Sequence, residues 1–268
     1  MEQKDFITNY NFKFKKKYGQ NFLIDDNVLN NIVNSVDIDS ETLVIEIGCG
    51  AGALTKKLVL KTKKVVGYEI DKTLKPILDT ISDAKIIFDD FLNRDINKDI
   101  ENINYKKMFI VSNLPYYITT PIISKIINDK IDVNKIVIMV QKEVGDRLSA
   151  KVNSKDYGSL TIFINYYFNV RKLFFVSKNV FLPKPNVDSV VIMLEKKENK
   201  YDLINPNLFF KIVRDSFLHK RKTLKNNLKS YNFEIISNVL SEYGFNDNVR
   251  AEQIPMEVFI KIANSLSS

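Results

Sequence analysis

Apolar residues fall into two rhythms along this chain. Short runs that are apolar almost throughout stand at 42–47, 64–69, 85–88, 108–111, 135–140, 172–176 and 189–194. Runs of that length and uniformity suit strands covered on both faces. Between them lie segments with apolar positions three and four apart, as in Val28, Leu29, Ile32, Val33 and Val36. These predict helices over 26–36, 54–60, 120–128, 141–148 and 158–167. Alternating strands and helices predict an α/β fold with a doubly wound sheet of seven strands. After the charged stretch 195–200 the rhythm turns wholly helical, with segments near 206–218, 220–230, 233–243 and 256–266. The expected division is therefore an α/β domain over 1–196, opened by a basic arm at 1–18, and a small all-α domain over 197–268.

The first strand runs directly into Gly48-Cys49-Gly50-Ala51-Gly52, and a helix follows. Strand, glycines and helix form a cradle for a nucleotide. Glycine lets the backbone approach a ligand without a Cβ clash, and the helix N-terminus adds partial positive charge. The second strand ends in Glu69, 19 positions after Gly50, where a carboxylate can accept both hydroxyls of a ribose. An NAD-binding domain would show this much. Two features favour S-adenosylmethionine, a cofactor with an amino-acid end and no pyrophosphate. The spacing is G-x-G-x-G rather than G-x-G-x-x-G, and Glu46 stands just ahead of the glycines. The third strand is followed by Asp89 and Asp90. Either could hydrogen-bond an adenine amine or serve as a solvated turn residue, and Asp90 is the preferred candidate.

The fourth strand ends in Asn113-Leu114-Pro115-Tyr116. Open α/β sheets bind ligands at such C-terminal strand ends. Pro115 stiffens the backbone and has no N–H, which leaves the Asn113 amide and neighbouring carbonyls to face outward. With the flat ring of Tyr116, they suit a planar heterocycle bearing an exocyclic amine. An ordinary strand-ending turn would read the same way. Phe181-Leu182-Pro183-Lys184-Pro185 is expected to be a rigid loop presenting an aromatic ring.

Charge adds a partner. The 268 residues carry 40 Lys and Arg against 32 Asp and Glu, a net +8. The stretch 211–229 alone holds seven basic residues and one acid, a net +6. An excess so concentrated fits a polyanion, nucleic acid before others, although a solvated helical face would also be basic. Lys4, Lys13, Lys15, Lys16 and Lys17 make the N-terminal arm a second basic segment. The one cysteine, Cys49, sits among glycines as a small residue, which leaves no disulfide framework and no metal quartet. His219 stands beside Lys220 and Arg221 and reads as a solvated or phosphate-facing ring rather than a general base. No run approaches the length of a membrane span, and the charged N-terminus lacks a signal peptide's apolar core, so a cytoplasmic protein is expected.

Taken together, Gly19-Gln20-Asn21-Phe22-Leu23, Glu46-x-Gly48-x-Gly50-x-Gly52, Asn113-Leu114-Pro115-Tyr116 and Phe181-x-Pro183-x-Pro185 resemble the rRNA adenine-N6 dimethyltransferases. The resemblance covers nearly the whole chain. Within that superfamily Gln141-Lys142-Glu143-Val144, Tyr157-Gly158-Ser159-Leu160 and His219-Lys220-Arg221-Lys222-Thr223-Leu224 resemble the KsgA type, whereas the Erm resistance methylases usually have a different tail. The resemblance implies a Rossmann-like methyltransferase sheet, S-adenosylmethionine as methyl donor and no metal. It implies Asn21, Leu23, Gly48, Gly50, Glu69, Asp90 and Asn113 as cofactor-binding positions. Asn113, Leu114 and Tyr116 would hold the target adenine, with Phe181 covering it. Lys220, Arg221, Lys222 and Lys225 would grip RNA. Tyr117 departs from the pattern, because related sequences often have Asn there. The implied reaction places two methyl groups on each of two adjacent adenosines near the 3′ end of 16S rRNA in the small ribosomal subunit, by a protein expected to be a monomer. Erm-like methylation of 23S rRNA and a non-catalytic assembly factor on the same fold are the alternatives.

Overall fold

The computed structural model of the protein describes residues 14–15, 18–115, 117–198 and 201–267. Its strands are β1 (Phe22–Leu23), β2 (Thr42–Ile47), β3 (Val65–Tyr68), β4 (Ala84–Ile87), β5 (Lys107–Asn113), β6 (Lys135–Gln141), β7 (Phe168–Val176), β8 (Phe181–Leu182) and β9 (Ser189–Lys196). The α-helices are α1 (Asp26–Asn34), α2 (Ala53–Leu58), α3 (Lys75–Leu78), α4 (Ile96–Ile100), α5 (Thr119–Asn128), α6 (Lys142–Leu148), α7 (Ser159–Tyr167), α8 (Pro206–Ser216), α9 (Leu224–Asn227), α10 (Phe233–Glu242) and α11 (Met256–Ser265).

Seven strands form the main sheet in the order β4-β3-β2-β5-β6-β9-β7. From β4 to β6 every neighbouring pair is parallel, and β9 lies antiparallel to β6. The chain leaves β2 for β3 on one side and returns to β5 on the other, so the strand order reverses between β2 and β5. Such a switch point opens a crevice beyond the strands' C-terminal ends. Gly48 and Asn113 are the residues that stand there.

Uniformly apolar strands are explained by packing on both sides. All six residues of β2 are buried. On one face, registered positions Val44 with Phe109, Val111 with Val137 and Met139 with Val191 pack against Leu29, Ile32 and Val33 of α1 and Leu54 and Leu58 of α2. Asp25 starts α1 where its side chain accepts from the Val28 N–H, an ordinary N-cap worth about 1 kcal/mol.

The chain forms two compact units, 1–145 with 171–196, and 146–170 with 197–268. The second takes in 146–170, a stretch that the sequence pattern assigns to the α/β domain. Its attachment is physical: Ile162 and Tyr166 of α7 are buried in one cluster with Phe209, Ile212, Leu240 and Phe259. The Tyr157 hydroxyl donates to the Ile254 carbonyl at 3.1 Å.

Two local expectations need correction. The helix expected over 220–230 shrinks to the single turn of α9, because 219–222 offers no apolar face to bury. Thr223 then starts α9, accepting from the Asn226 N–H. Leu224 donates its N–H to Val249 instead. Second, Phe181 and Leu182 form a short strand, β8, paired antiparallel with β1 through Phe22–Leu182 and Leu23–Phe181.

Candidate active site

β2 ends in the glycine turn. Gly48, Gly50 and Gly52 have φ of 78, 54 and 80°, values that L side chains rarely adopt. The turn hangs from β3: Gly48 N–H donates to the Tyr68 carbonyl at 2.8 Å. A side chain at Gly52 would strike Ile81, whose Cδ1 lies 2.6 Å from the Cβ position. The turn is therefore held close to the adjoining chain, and it lines a cavity of about 280 Å³.

Glu69 lines that cavity. One carboxylate oxygen accepts from the Gly50 N–H and the other from the Asp71 N–H, both at 2.8 Å. Burial raises its pKa to about 7, against the pull of those two N–H groups. Each oxygen retains a lone pair for a further donor, so the acid can still receive hydroxyls. Glu46 lies deeper and is 1% exposed. The Thr55 hydroxyl donates to it at 2.6 Å. Burial raises its pKa to about 8, opposed by that hydrogen bond and aided by the charge of Glu69. Glu46 ties β2 to α2 at the floor of the same cavity, which it also lines. Cys49 is buried against Gly67, and burial pushes its thiol well above the ordinary range. A small structural residue fits this place.

Asn21, Leu23, Gly48, Gly50, Glu69, Asp90, Asn113 and Leu114 all line this one cavity. Asp90 has one oxygen accepting from the Leu92 N–H at 2.9 Å, and it faces the cavity beside Asp89. Asn113 sits at the end of β5, and its Nδ2 donates to the Asn21 carbonyl at 3.4 Å. That bond turns the amide toward the Gly19–Leu23 segment. Tyr117 is 58% exposed at the rim. Tyr116 lies outside the described residues.

Phe181 lies in β8 instead of on a presenting loop. It is 3% exposed and packs with Leu23, Val176 and Met193, away from the cavity lining. Pairing with β1 draws its ring inward, where burial of an aromatic outweighs presentation on a loop. The basic stretch is also sorted by the structure. Lys211 is neutralised by Asp215 at 3.0 Å and Lys225 by Asp247 at 3.5 Å. Lys220, Arg221 and Lys222 are exposed in the turn before α9, and among the described residues no acid pairs with them.

Asp71 and Tyr18 join the site without a signal of their own in the sequence. Asp71 accepts from Lys15 and Gln20 side chains, and Tyr18 lines the cavity. The signal available was position: Gln20 lies within the Gly19–Leu23 motif and Asp71 two residues beyond Glu69. Among the described residues, no group of three or more His, Cys, Asp or Glu is placed to hold a metal, and no helix is long and apolar enough to cross a membrane.

Sheet order, glycine turn and a buried acid at the end of β3 mark a Rossmann-like domain of the S-adenosylmethionine-dependent methyltransferase class. A family profile described as Ribosomal RNA adenine dimethylase matches residues 11–268. The chain belongs to that family. A protein of Bacillus cereus (strain B4264) named Ribosomal RNA small subunit methyltransferase A is 44% identical, across 98% of this chain and 94% of its own. One of the same name from Bacillus anthracis (strain CDC 684 / NRRL 3495) is 43% identical over the same shares. Among solved structures, a dimethyladenosine transferase from Plasmodium falciparum superposes with a TM-score of 0.73 at 26% identity, covering 90% of this chain and 95% of its own. The 23S rRNA methyltransferase ErmE superposes at 0.70 and 21% identity, covering 92% of this chain and 100% of its own, a likeness of fold.

Proposed function

We propose that this protein transfers methyl groups from S-adenosylmethionine to N6 of two adjacent adenosines in the 3′-terminal hairpin of 16S rRNA, giving N6,N6-dimethyladenosine. The observation that carries the reading is the placement of Asn113 and Glu69 in one cavity, at the switch point of a sheet whose chain belongs to the rRNA adenine dimethylases. The names of its relatives support the small-subunit substrate over 23S rRNA.

The cofactor supplies an electrophilic methyl group; the chain supplies alignment. The Gly48–Gly52 turn and Glu69 hold the nucleoside end, with Asp90 within reach of a base amine. Leu23 and Leu114, both buried, give the cavity an apolar lining. Adenine N6 is a weak nucleophile because its lone pair is delocalised into the ring. With Asn113 Nδ2 committed to Asn21, its Oδ1 is the acceptor left for an N6–H. A hydrogen bond there, with one to a carbonyl of the Asn113–Pro115 segment, localises the lone pair toward the methyl. Tyr116 stacks on the extruded base. No strong general base is needed, since the amine proton becomes acidic only after transfer, and proximity supplies most of the acceleration.

The 197–268 helices, with 146–170 packed among them, act as the RNA-recognition unit. Lys220, Arg221 and Lys222 are its phosphate contacts, with Lys225 beside them. The protein works as a cytoplasmic monomer. The test is incubation with labelled S-adenosylmethionine and separated, unmethylated 30S and 50S subunits. Label in 30S adenosines as dimethyladenosine is the expected result; label in 50S particles overturns it.

A further inference from the structure

Residues 18–23 line the cavity, yet the only strand among them is the two-residue β1. Packing of Phe22 and Leu23 anchors the far end of this segment. Its near end is held by one acid. Asp71 Oδ1 accepts from Lys15 Nζ at 2.6 Å, and Oδ2 accepts from Gln20 Nε2 at 2.7 Å. The Lys15 N–H in turn donates to Gln20 Oε1 at 2.7 Å, which closes a ring of three residues. The Asp71 side chain is 1% exposed against 33% for Lys15. Burial alone would raise the Asp71 pKa, but the donors Lys15, Thr73 and Gln20 together hold it below the usual carboxylate range. Charge-assisted bonds to a buried carboxylate are the strong kind.

Asp71 also faces the other way. Its backbone N–H donates to Glu69 Oε1 at 2.8 Å, and Glu69 Oε2 accepts from the Gly50 N–H. One residue thus joins the segment along the cavity wall, the acid inside it and the glycine turn beneath. We propose that Asp71 is a positioning residue, the latch of a strap formed by the Gly19–Leu23 segment, and that Lys15 and Gln20 close this latch over bound cofactor. The inference rests on the reading of the cavity as the S-adenosylmethionine site. A closed strap slows cofactor dissociation and keeps Asn21 and Leu23 at the wall. An open one leaves the grip to the glycine turn, Glu69 and Asp90.

The test is a double-mutant cycle on the full chain, with S-adenosylhomocysteine binding read by calorimetry and stopped flow. Lys15→Ala should raise Kd roughly tenfold, mainly through faster dissociation, and raise the cofactor KM with little change in kcat. Asp71→Asn on the Lys15→Ala background should cost less than Asp71→Asn alone, because the Lys15 contact is already gone and only the bond to Gln20 is left for the substitution to weaken. Lys15→Arg, which keeps the charge, should restore most of the affinity. Unchanged binding in Lys15→Ala, or losses that simply add, would overturn the latch. Glu69→Ala in the same assay separates the two readings. If it leaves affinity intact, the cavity assignment falls; if it weakens binding while Lys15→Ala does not, only the latch falls.

Discussion

The Glu69 carboxylate accepts the Gly50 N–H at 2.8 Å across 19 positions of sequence. The acid at the end of β3 therefore orients the turn at the end of β2 before any ligand is involved. Glu69→Ala should lose both that bracing and an acceptor for the cofactor. The expected cost is roughly 1–3 kcal/mol of binding free energy, typical of leaving polar partners unmatched. Calorimetry on a variant with parental circular dichroism is the check, and parental affinity would take Glu69 out of the site.

Glu46 and Glu69 make a pH dependence of stability. Their pKa values of about 8 and about 7 lie above the ordinary carboxyl value of 4.5. The folded protein thus holds protons that the unfolded chain has released. Stability from these groups is complete below about pH 4.5 and falls as pH rises toward 8, by up to about 1.4 kcal/mol per pH unit for each carboxyl. Glu46→Gln keeps an acceptor for Thr55 and cannot ionise. The cofactor-free parent should melt at lower temperature at pH 8 than at pH 5.5, and the variant should lose less over that interval, keeping the part due to Glu69. Identical pH profiles for parent and variant would place the cause elsewhere.

Phe181 offers a clean contrast between packing and chemistry. Its ring is buried with Leu23 and Val176, so Phe181→Ala should cost about 3–5 kcal/mol of stability, as large aromatic truncations in cores do. Chemical denaturation measures it directly. Phe181→Leu should recover most of the stability, and with it the methylation of 30S particles. Full stability with lost methylation in Phe181→Leu would return the ring to the substrate.

The strands, glycine turn and Glu69 were legible because each depends on local pattern: apolar runs buried on both faces, positive φ met by glycine, an acid closing a strand. Four features were not. Phe181 follows a strand and precedes Pro183, which reads as a loop; pairing with Leu23, far away in sequence, makes it core. Residues 146–170 look like part of the α/β unit because α6 follows β6 directly, and only the burial of Ile162 and Tyr166 among distant helices assigns them elsewhere. The Lys15–Asp71 pair spans 56 positions and leaves no periodic trace. In the basic stretch, composition showed the charge but not that Asp247, outside the window, pairs with Lys225.

On the proposed reading, a pocket that receives one extruded base at a time cannot by itself choose two adenosines within a ribosomal particle. Selection requires a surface that grips folded RNA. Of the seven cations in 211–229, Lys211 and Lys225 are already paired with acids. Lys220, Arg221 and Lys222 stand exposed in the turn that Thr223 ends. Phosphate contacts position a protein and make its binding depend on salt. Reversing all three charges should abolish methylation of 30S particles while leaving S-adenosylmethionine affinity and melting temperature near parental values. The log–log salt slope of particle binding should become shallower by roughly two to three, about one unit for each phosphate no longer neutralised. Reversal of Lys211 and Lys225 should do much less, because each already faces an acid. If the triple variant binds and dimethylates 30S like the parent, the turn is a solvated surface and the basic residues before Gly19 become the candidates for RNA contact.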